Sequence, residues 1–468
     1  MDSSQPSKGK VRFSDEDPHC RRSRSKNEHL EMKEGTSSGS RGGTVLGENK
    51  MDPDTARRLF EVGANLFLFD IPINTEVGVD LNSWNTGPNF KGIKMIPPGV
   101  HFVYWSSVSK EGQVAPRSGF FHDFRPKEIL AKRYNAINET IEDISDSEEI
   151  QRLEYNLKNF DSNLGAYPYD SWKKWVSLTN KISAVTIKRL EPTSGLIHSV
   201  TELIPEVHKS HSKASGKRET AMSNDISMEP REYLLKSTDT DMDTTSSTSE
   251  VSTKRSLTEE DRENERLPKM QCNPRMTIRY TEIPAQYPSK STPAEITKHS
   301  MDSTYQLNRY LDVFKRLYGD AVSSCMSDRS QVDEVLGELQ FSFICFLVGQ
   351  NYDSFEQWKL LLKMFCTSDE ALASHTHLYM TFINDLHFQI REVPQDFFVD
   401  IISSNNFLVS LLSTLFTLVR DNSQIDSKLK QRMDKFKTSL SLKFNWDFSE
   451  IDDGEELDEE DRPVVVEI

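Results

Sequence analysis

Between Lys236 and Thr258, 13 of 23 residues are Ser or Thr and none is aromatic. Such a run buries too little apolar surface to offset its ordering entropy, roughly 1–2 kcal/mol per residue for the backbone alone. The chain is therefore predicted to fold on either side of it, with a flexible Ser/Thr-rich linker assigned to 206–274. Asp and Glu interspersed in the run suit control by phosphorylation, each phosphate adding about −1.5 to −2 charges. The segment 1–50, rich in Ser, Gly, Arg and Lys, reads in the same way as a disordered N-terminal extension. Two such segments account for a hydrophobic content of only 36% in 468 residues.

The segment 51–205 carries the pattern of short strands. Leu66 to Phe69 is an apolar run closed by Pro72, and Val77, Val79 and Leu81 alternate with Gly78 and Asp80. Pro97-Pro98-Gly99 makes a turn before the β-branched and aromatic run Val100 to Trp105, and Gly119-Phe120-Phe121 opens another strand. Strands this short, punctuated by Gly and Pro, predict a sandwich or barrel. The end of the segment turns helical, with Ile150, Leu153, Leu157 and Phe160 at helical spacing, then Trp172, Trp175, Leu178 and Ile182.

From Thr292 the period is helical throughout. Thr292-Pro293-Ala294-Glu295 combines a capping box with Pro at the first helical position, and one face continues through Ile296, Ser300, Thr304, Leu307, Leu311, Phe314 and Leu317. A second box, Thr367-Ser368-Asp369-Glu370, is read as opening a helix that stops before Pro394, and Leu429, Met433, Phe436, Leu440 and Phe444 mark the last one. The predicted class is α+β: a β-rich, sandwich- or barrel-like N-terminal domain, then an all-α domain of five to seven helices over 275–446. The remaining 447–468 is an acidic tail ending in a β-strand segment.

Charge and composition exclude several classes. Of the net charge of −16, the stretch from Asp447 to Arg462 supplies −9, with ten acids against one base. No window approaches the ~20 apolar residues of a membrane span, and the N-terminus lacks the apolar core of a secretory signal, so an intracellular location is expected. Cys20, Cys272, Cys325, Cys345 and Cys366 fit neither a disulfide framework nor a zinc site, and the last three read as buried thiols.

Motifs of chemistry are sparse. Gly42 to Gly47 has the spacing of a phosphate-binding loop, but Glu48 stands where its lysine is required. His375 and His377 are two apart, which on a helix points them about 200° from each other and away from a shared metal. His101 has no Ser, Cys or carboxylate near it in sequence to suggest a triad, leaving only partners remote in the chain. The expectation is no enzyme, no cofactor and no metal. Basic patches with interleaved aromatics are missing, so direct nucleic-acid binding is not expected. Arg21 to Lys26 reads as a solvated basic run, with a nuclear import signal or kinase site as the sharper alternative.

Two short segments suggest protein partners. Lys10-Val11-Arg12-Phe13, followed by acids, matches the motif by which regulatory subunits add a strand to protein phosphatase-one, with Lys10, Val11 and Phe13 as the docking residues. At the other end, Pro463 bars a helix from entering Val464, Val465, Val466, Glu467 and Ile468. That β-branched run is expected to bind by adding a strand to a sheet edge, with a partner's edge preferred over the chain's own.

The chain resembles the Aar-two splicing factors, assembly factors of the U-five small nuclear ribonucleoprotein. The resemblance is carried by Asn82-Ser83-Trp84, Phe90, Gly92, Lys94 to Gly99, His101-Phe102, Gly119-Phe120-Phe121, Tyr167-Pro168-Tyr169, Trp175 and Leu178 to Asn180. It continues in Thr292 to Asp302, Leu336 to Phe341, Phe355-Glu356, Trp358-Lys359, Phe397 to Asp400 and Trp446 to Phe448. It implies a β-rich domain joined to a helical one, without enzymatic activity. It also implies binding to the Prp-eight scaffold protein through that scaffold's RNase H-like region, with later replacement by the Brr-two helicase and a C-terminal tail engaging the scaffold. Trp84, Trp175, Trp358 and Phe398 are read as core rather than interface, because large aromatics at periodic positions usually fill interiors. A helical adaptor targeting phosphatase-one, and an enzyme with an interdomain site, stay open as competing readings.

Overall fold

The computed structural model describes residues 52–108, 113–205, 270–319, 328–393 and 407–448, all within the unit Met51–Ile468. Its strands are β1 (Ala64–Phe69), β2 (Glu76–Val79), β3 (Asn82–Asn85), β4 (Gly92–Ile96), β5 (Gly99–Ser106), β6 (Ser118–Phe124), β7 (Ile129–Asn135), β8 (Thr140–Asp143), β9 (Leu164–Ala166), β10 (Ile197–His198), β11 (Leu203–Pro205) and β12 (Met270–Cys272). The helices are α1 (Pro53–Val62), α2 (Ser147–Phe160), α3 (Trp172–Thr179), α4 (Ala184–Leu190), α5 (Pro293–Met301), α6 (Thr304–Gly319), α7 (Asp328–Leu347), α8 (Tyr352–Cys366), α9 (Asp369–Ser374), α10 (Thr376–Glu392), α11 (Phe407–Asp421) and α12 (Ser427–Phe444). A β-rich region is thus followed by a helical one, as expected.

Two five-stranded sheets, ordered β8-β7-β1-β4-β9 and β10-β6-β5-β2-β3, form a sandwich. Alternation along single strands explains it, since successive side chains point to opposite faces. Leu66 and Leu68 of β1 meet Val103 and Trp105 of β5 between the sheets. The other face of β1 presents Phe67 to α2, where its ring meets Phe160 edge-on at 5.5 Å. On the far face of the second sheet, Phe102, Tyr104 and Phe121 join the helical core, and Phe121 stacks on Phe341 of α7 at 4.6 Å. The second sheet is therefore covered on both sides. That is why β2 is buried at Gly78 as well as at Val77 and Val79: a Cβ at Gly78 would collide with the Tyr104 ring.

The helical region departs from the sequence reading at two junctions. The Thr292 capping box forms, Thr292 N donating to Glu295 Oε2 at 2.7 Å, but the face traced from Ile296 to Leu317 is divided between α5 and α6. Asp302 causes the break, its Oδ1 accepting from Thr304 N and from Asp369 N, each at 2.9 Å. The same bond replaces the box read at Thr367 to Glu370. The Ser368 hydroxyl donates to Met364 O at 2.6 Å, and Ala371 N donates to Thr304 Oγ1 at 3.0 Å, so α9 is capped from a neighbouring helix. α9 then ends at Ser374 and α10 begins at Thr376. These divisions give eight helices from Pro293 to Phe444 among the described residues, against five to seven expected.

Leu203–Pro205 pairs antiparallel with Met270–Cys272, and Asn273 N donates to Glu202 O at 2.8 Å. The segment read as a linker over 206–274 thus begins and ends on neighbouring strands, with its last residues ordered. Beyond it, Arg279 N donates to Leu190 O at 2.9 Å, and its guanidinium donates to the carbonyls of Glu191 and Lys188, both at 2.7 Å. The extension 1–50 and the Ser/Thr-rich run lie outside the described residues.

Candidate functional site

The chain leaves β2 through Asp80, whose φ of 57° lies in the left-handed region that Asp tolerates. Asp80 is fully buried. Its carboxylate accepts from Phe102 N at 3.0 Å and from the Tyr167 hydroxyl at 2.6 Å, and lies 2.7 Å from His101 Nδ1. His101 Nε2 lies 2.7 Å from Pro97 O, so both ring nitrogens face oxygens. Burial, then the Asp80 charge, holds the Tyr167 phenol far above its ordinary range. The carboxylate remote from His101 in sequence does exist. However, Asp80, His101 and Tyr167 are 0%, 1% and 1% exposed, and each of their side-chain polar groups is engaged within the cluster or with backbone. The cluster locks a turn.

What the lock presents is β3. Asn82 Nδ2 donates to Ser171 Oγ at 2.7 Å, and Thr86 Oγ1 donates to Pro72 O at 2.8 Å, pinning both ends of the strand. β3 is last in its sheet, pairing with β2 in the register Val77↔Trp84 and Gly78↔Ser83, and no strand lies beyond it among the described residues. Trp84, expected in the core, is 41% exposed. It ends a cross-strand row of Trp105, Val77 and Trp84, whose first two members are buried between the sheets. A fixed edge strand carrying an exposed aromatic is a template for the addition of an extended segment. Local sequence held no signal for this, because being an edge is a property of the sheet order.

The other polar clusters tie elements together. Lys181, between α3 and α4, donates its N–H to Gln340 Oε1 at 2.8 Å and pairs its ammonium with Asp333 on α7. Ser183 and Thr186 donate to Glu334 at 3.0 and 2.8 Å. Arg189 reaches the fully buried Glu338 at 2.8 Å, and Glu338 also accepts from Thr281 N at 2.8 Å. Trp175 and Trp358 are each 1% exposed, in keeping with a core role. Cys345 and Cys366 are buried; burial pushes the Cys366 thiol up to about 12 and raises Cys345 as well, while Cys272 is exposed.

His375 sits in the break before α10, its Nε2 2.8 Å from Asn308 Oδ1, so it does not share a helix with His377 as expected. Among the described residues no group of three His, Cys, Asp or Glu could hold a metal ion, and no helix is long and apolar enough to cross a membrane. A surface depression on α4 is lined by Ala184, Val185, Lys188 and Arg189, with no carboxylate or nucleophile among them. Lys10, Val11 and Phe13, the terminal Val464, Val465, Val466, Glu467 and Ile468, the Gly42 to Gly47 loop, Arg21 to Lys26, Cys20, Cys325 and Phe398 all lie outside the described residues.

Comparison with known proteins covers both regions. The chain matches the AAR2 N-terminal domain over residues 62–192 and the AAR2 C-terminal repeat region over residues 280–449. It is 37% identical to the mouse protein AAR2 homolog, across 90% of this chain and 97% of the mouse one. The human protein AAR2 homolog shows the same identity and coverage. The A1 cistron-splicing factor AAR2 of Saccharomyces cerevisiae is 21% identical across 84% of this chain and 95% of its own. The motif runs from Asn82 to Phe448 lie within the two matched regions, and the chain belongs to the AAR2 family.

Proposed function

We propose that this chain is a splicing factor without catalytic activity that binds the Prp-eight scaffold protein, through its RNase H-like region, during assembly of the U-five particle, and is later replaced by the Brr-two helicase. The observation that carries the splicing role is family membership along nearly the whole of each relative, one of which is named as a splicing factor. A protein-binding role is supported by the pinned edge strand β3 and its exposed Trp84. The non-catalytic reading is supported by the burial of the Asp80–His101–Tyr167 group, where no substrate could reach it. Such a factor acts in the cytoplasm and the nucleus.

The test is co-purification of the full chain from nuclear and cytoplasmic extract. The U-five scaffold protein is expected in the eluate, and its absence, with phosphatase-one in its place, would replace this reading with that of a phosphatase adaptor. Deleting Pro463 to Ile468 should weaken scaffold binding at least about tenfold, or 1.4 kcal/mol, with thermal stability nearly unchanged. Unaltered binding with a melting temperature lowered by several degrees would assign that segment to the protein's own fold.

A further inference from the structure

α12 is strongly basic in an acidic chain: six Lys and Arg (Lys428, Lys430, Arg432, Lys435, Lys437, Lys443) against Asp434 give +5 in 18 residues. Lys428, Arg432 and Lys435 stand at i, i+4 and i+7, on one face of the helix, and all three are exposed. Among the described residues no ion pair joins any of the three side chains to a carboxylate; their one side-chain hydrogen bond is Arg432 Nη1 donating to Met380 O at 3.0 Å, while the Lys428 backbone N–H donates to Asp426 Oδ1 at 2.8 Å. Leu429, Met433, Phe436 and Leu440, one position further on in each turn, bury the adjoining face. Lys443 titrates below its ordinary range through partial burial and the neighbouring Arg391 and Lys174, which outweigh Glu392.

The chain then turns off the helix. Asn445 is in the left-handed conformation, with φ 55° and ψ 32°, and caps the helix by donating its N–H to Ser441 O at 3.1 Å. Three residues later Phe448 is buried edge-on against Phe416 at 5.1 Å, and Phe416 meets Phe436 at 6.2 Å, eight residues before the helix end. Phe448 and Phe436 thus pack on the same ring of α11. The next stretch of sequence, Glu450 to Asp461, holds nine acids and no base.

We propose that the acidic segment 450–461 lies back along the exposed row of α12 that carries Lys428, Arg432 and Lys435, and is held by those three side chains. Reach permits it: 13 extended residues from 449 to 461 span about 43 Å, against about 27 Å for the 18 residues of α12. Tethering favours it over a polyanion in solution, because an attached segment acts at an effective concentration of roughly millimolar. A net charge of −16 also slows the approach of nucleic acid. The contact is independent of which partner the protein serves, and it fixes where Val464 to Ile468 are delivered.

Two measurements on the full-length chain test it. Zero-length carbodiimide coupling at low protein concentration should join Lys428 or Lys435 to acids within 450–461, in products of monomer mass that vanish in 0.5 M salt (about a 4–5 Å screening length). In the second, a fluorescent 12-nucleotide oligouridylate serves as a polyanion probe. Replacing the nine acids by Asn and Gln should tighten its binding at least about tenfold, and adding K428E, R432E and K435E to that variant should abolish the gain. All of these changes are at exposed positions or in the tail, so circular dichroism should be unchanged. Couplings that form only between two copies, or probe affinity indifferent to the tail acids, would overturn the proposal.

Discussion

The carbonyl oxygen of Lys181 lies 2.5 Å from the place a Cβ on Gly337 would occupy. The α3–α4 connection thus touches the backbone of α7 directly, next to the Lys181 N–H bond to Gln340. In an ordinary helix interior Gly→Ala gains roughly 1 kcal/mol. Here the methyl group must push that connection away, so G337A should instead destabilise by about 1–3 kcal/mol. The check is urea unfolding, with a lower midpoint and an unchanged slope; a neutral or stabilised variant would show that the two elements do not meet this closely.

Glu338, one residue on, is fully buried and pairs with the partly exposed Arg189, whose guanidinium also lies 5.0 Å from the Phe314 ring centroid. E338A takes the carboxylate from Arg189 and from the Thr281 N–H, and should cost about 3–5 kcal/mol. Replacing both members of the pair, Arg189→Met with Glu338→Leu, should cost less than E338A alone, because no charge is then left buried without its partner. A double-mutant cycle in which the two losses simply add would deny the coupling.

Much of this architecture was legible locally. The Thr292 box, the Pro97-Pro98-Gly99 turn and the apolar spacing from Leu429 to Phe444 each describe neighbours in sequence, and each stands in the structure. What was lost depends on residues far apart. Asp80 meets His101 across 21 positions and Tyr167 across 87, and Asp302 caps a helix that starts 67 residues later. No spacing rule reaches that far. The exposure of Trp84 was misread for a related reason: its row is buried at Trp105 and Val77, and only the sheet order shows that β3 comes last.

Asp385, on α10, is buried, with no hydrogen-bond partner for either carboxylate oxygen among the described residues. Burial pushes its pKa up to about 7, with Asp333 adding to the rise while Lys181 and the neighbouring Asn384 amide oppose it. The unfolded chain releases this proton near pH 4. Between that pH and about 7 the folded state holds a proton that the unfolded state has lost, so stability must fall as the pH rises through this window. Melting temperatures from pH 5 to 8 should fall for the parent and fall less for D385N, which should be the more stable of the two above pH 7. Parallel profiles for the two proteins would remove Asp385 as the cause.

Two tryptophans separate packing from recognition. Trp175 is 1% exposed and its indole N–H donates to Val100 O at 2.7 Å, tying α3 to β5, so W175A should cost about 3–5 kcal/mol in cavity and lost bond. Trp84 stands 41% exposed on an edge strand whose ends are pinned without it, through Asn82 to Ser171 and Thr86 to Pro72. W84S should therefore shift stability by no more than about 0.5 kcal/mol. If β3 is where a partner strand is added, the same change should weaken capture of the scaffold protein by about 2 kcal/mol, or roughly thirtyfold, as for an aromatic anchor at an interface centre. Capture at parental strength with stability intact would clear Trp84 of any docking role, and a large loss of stability would return it to the core.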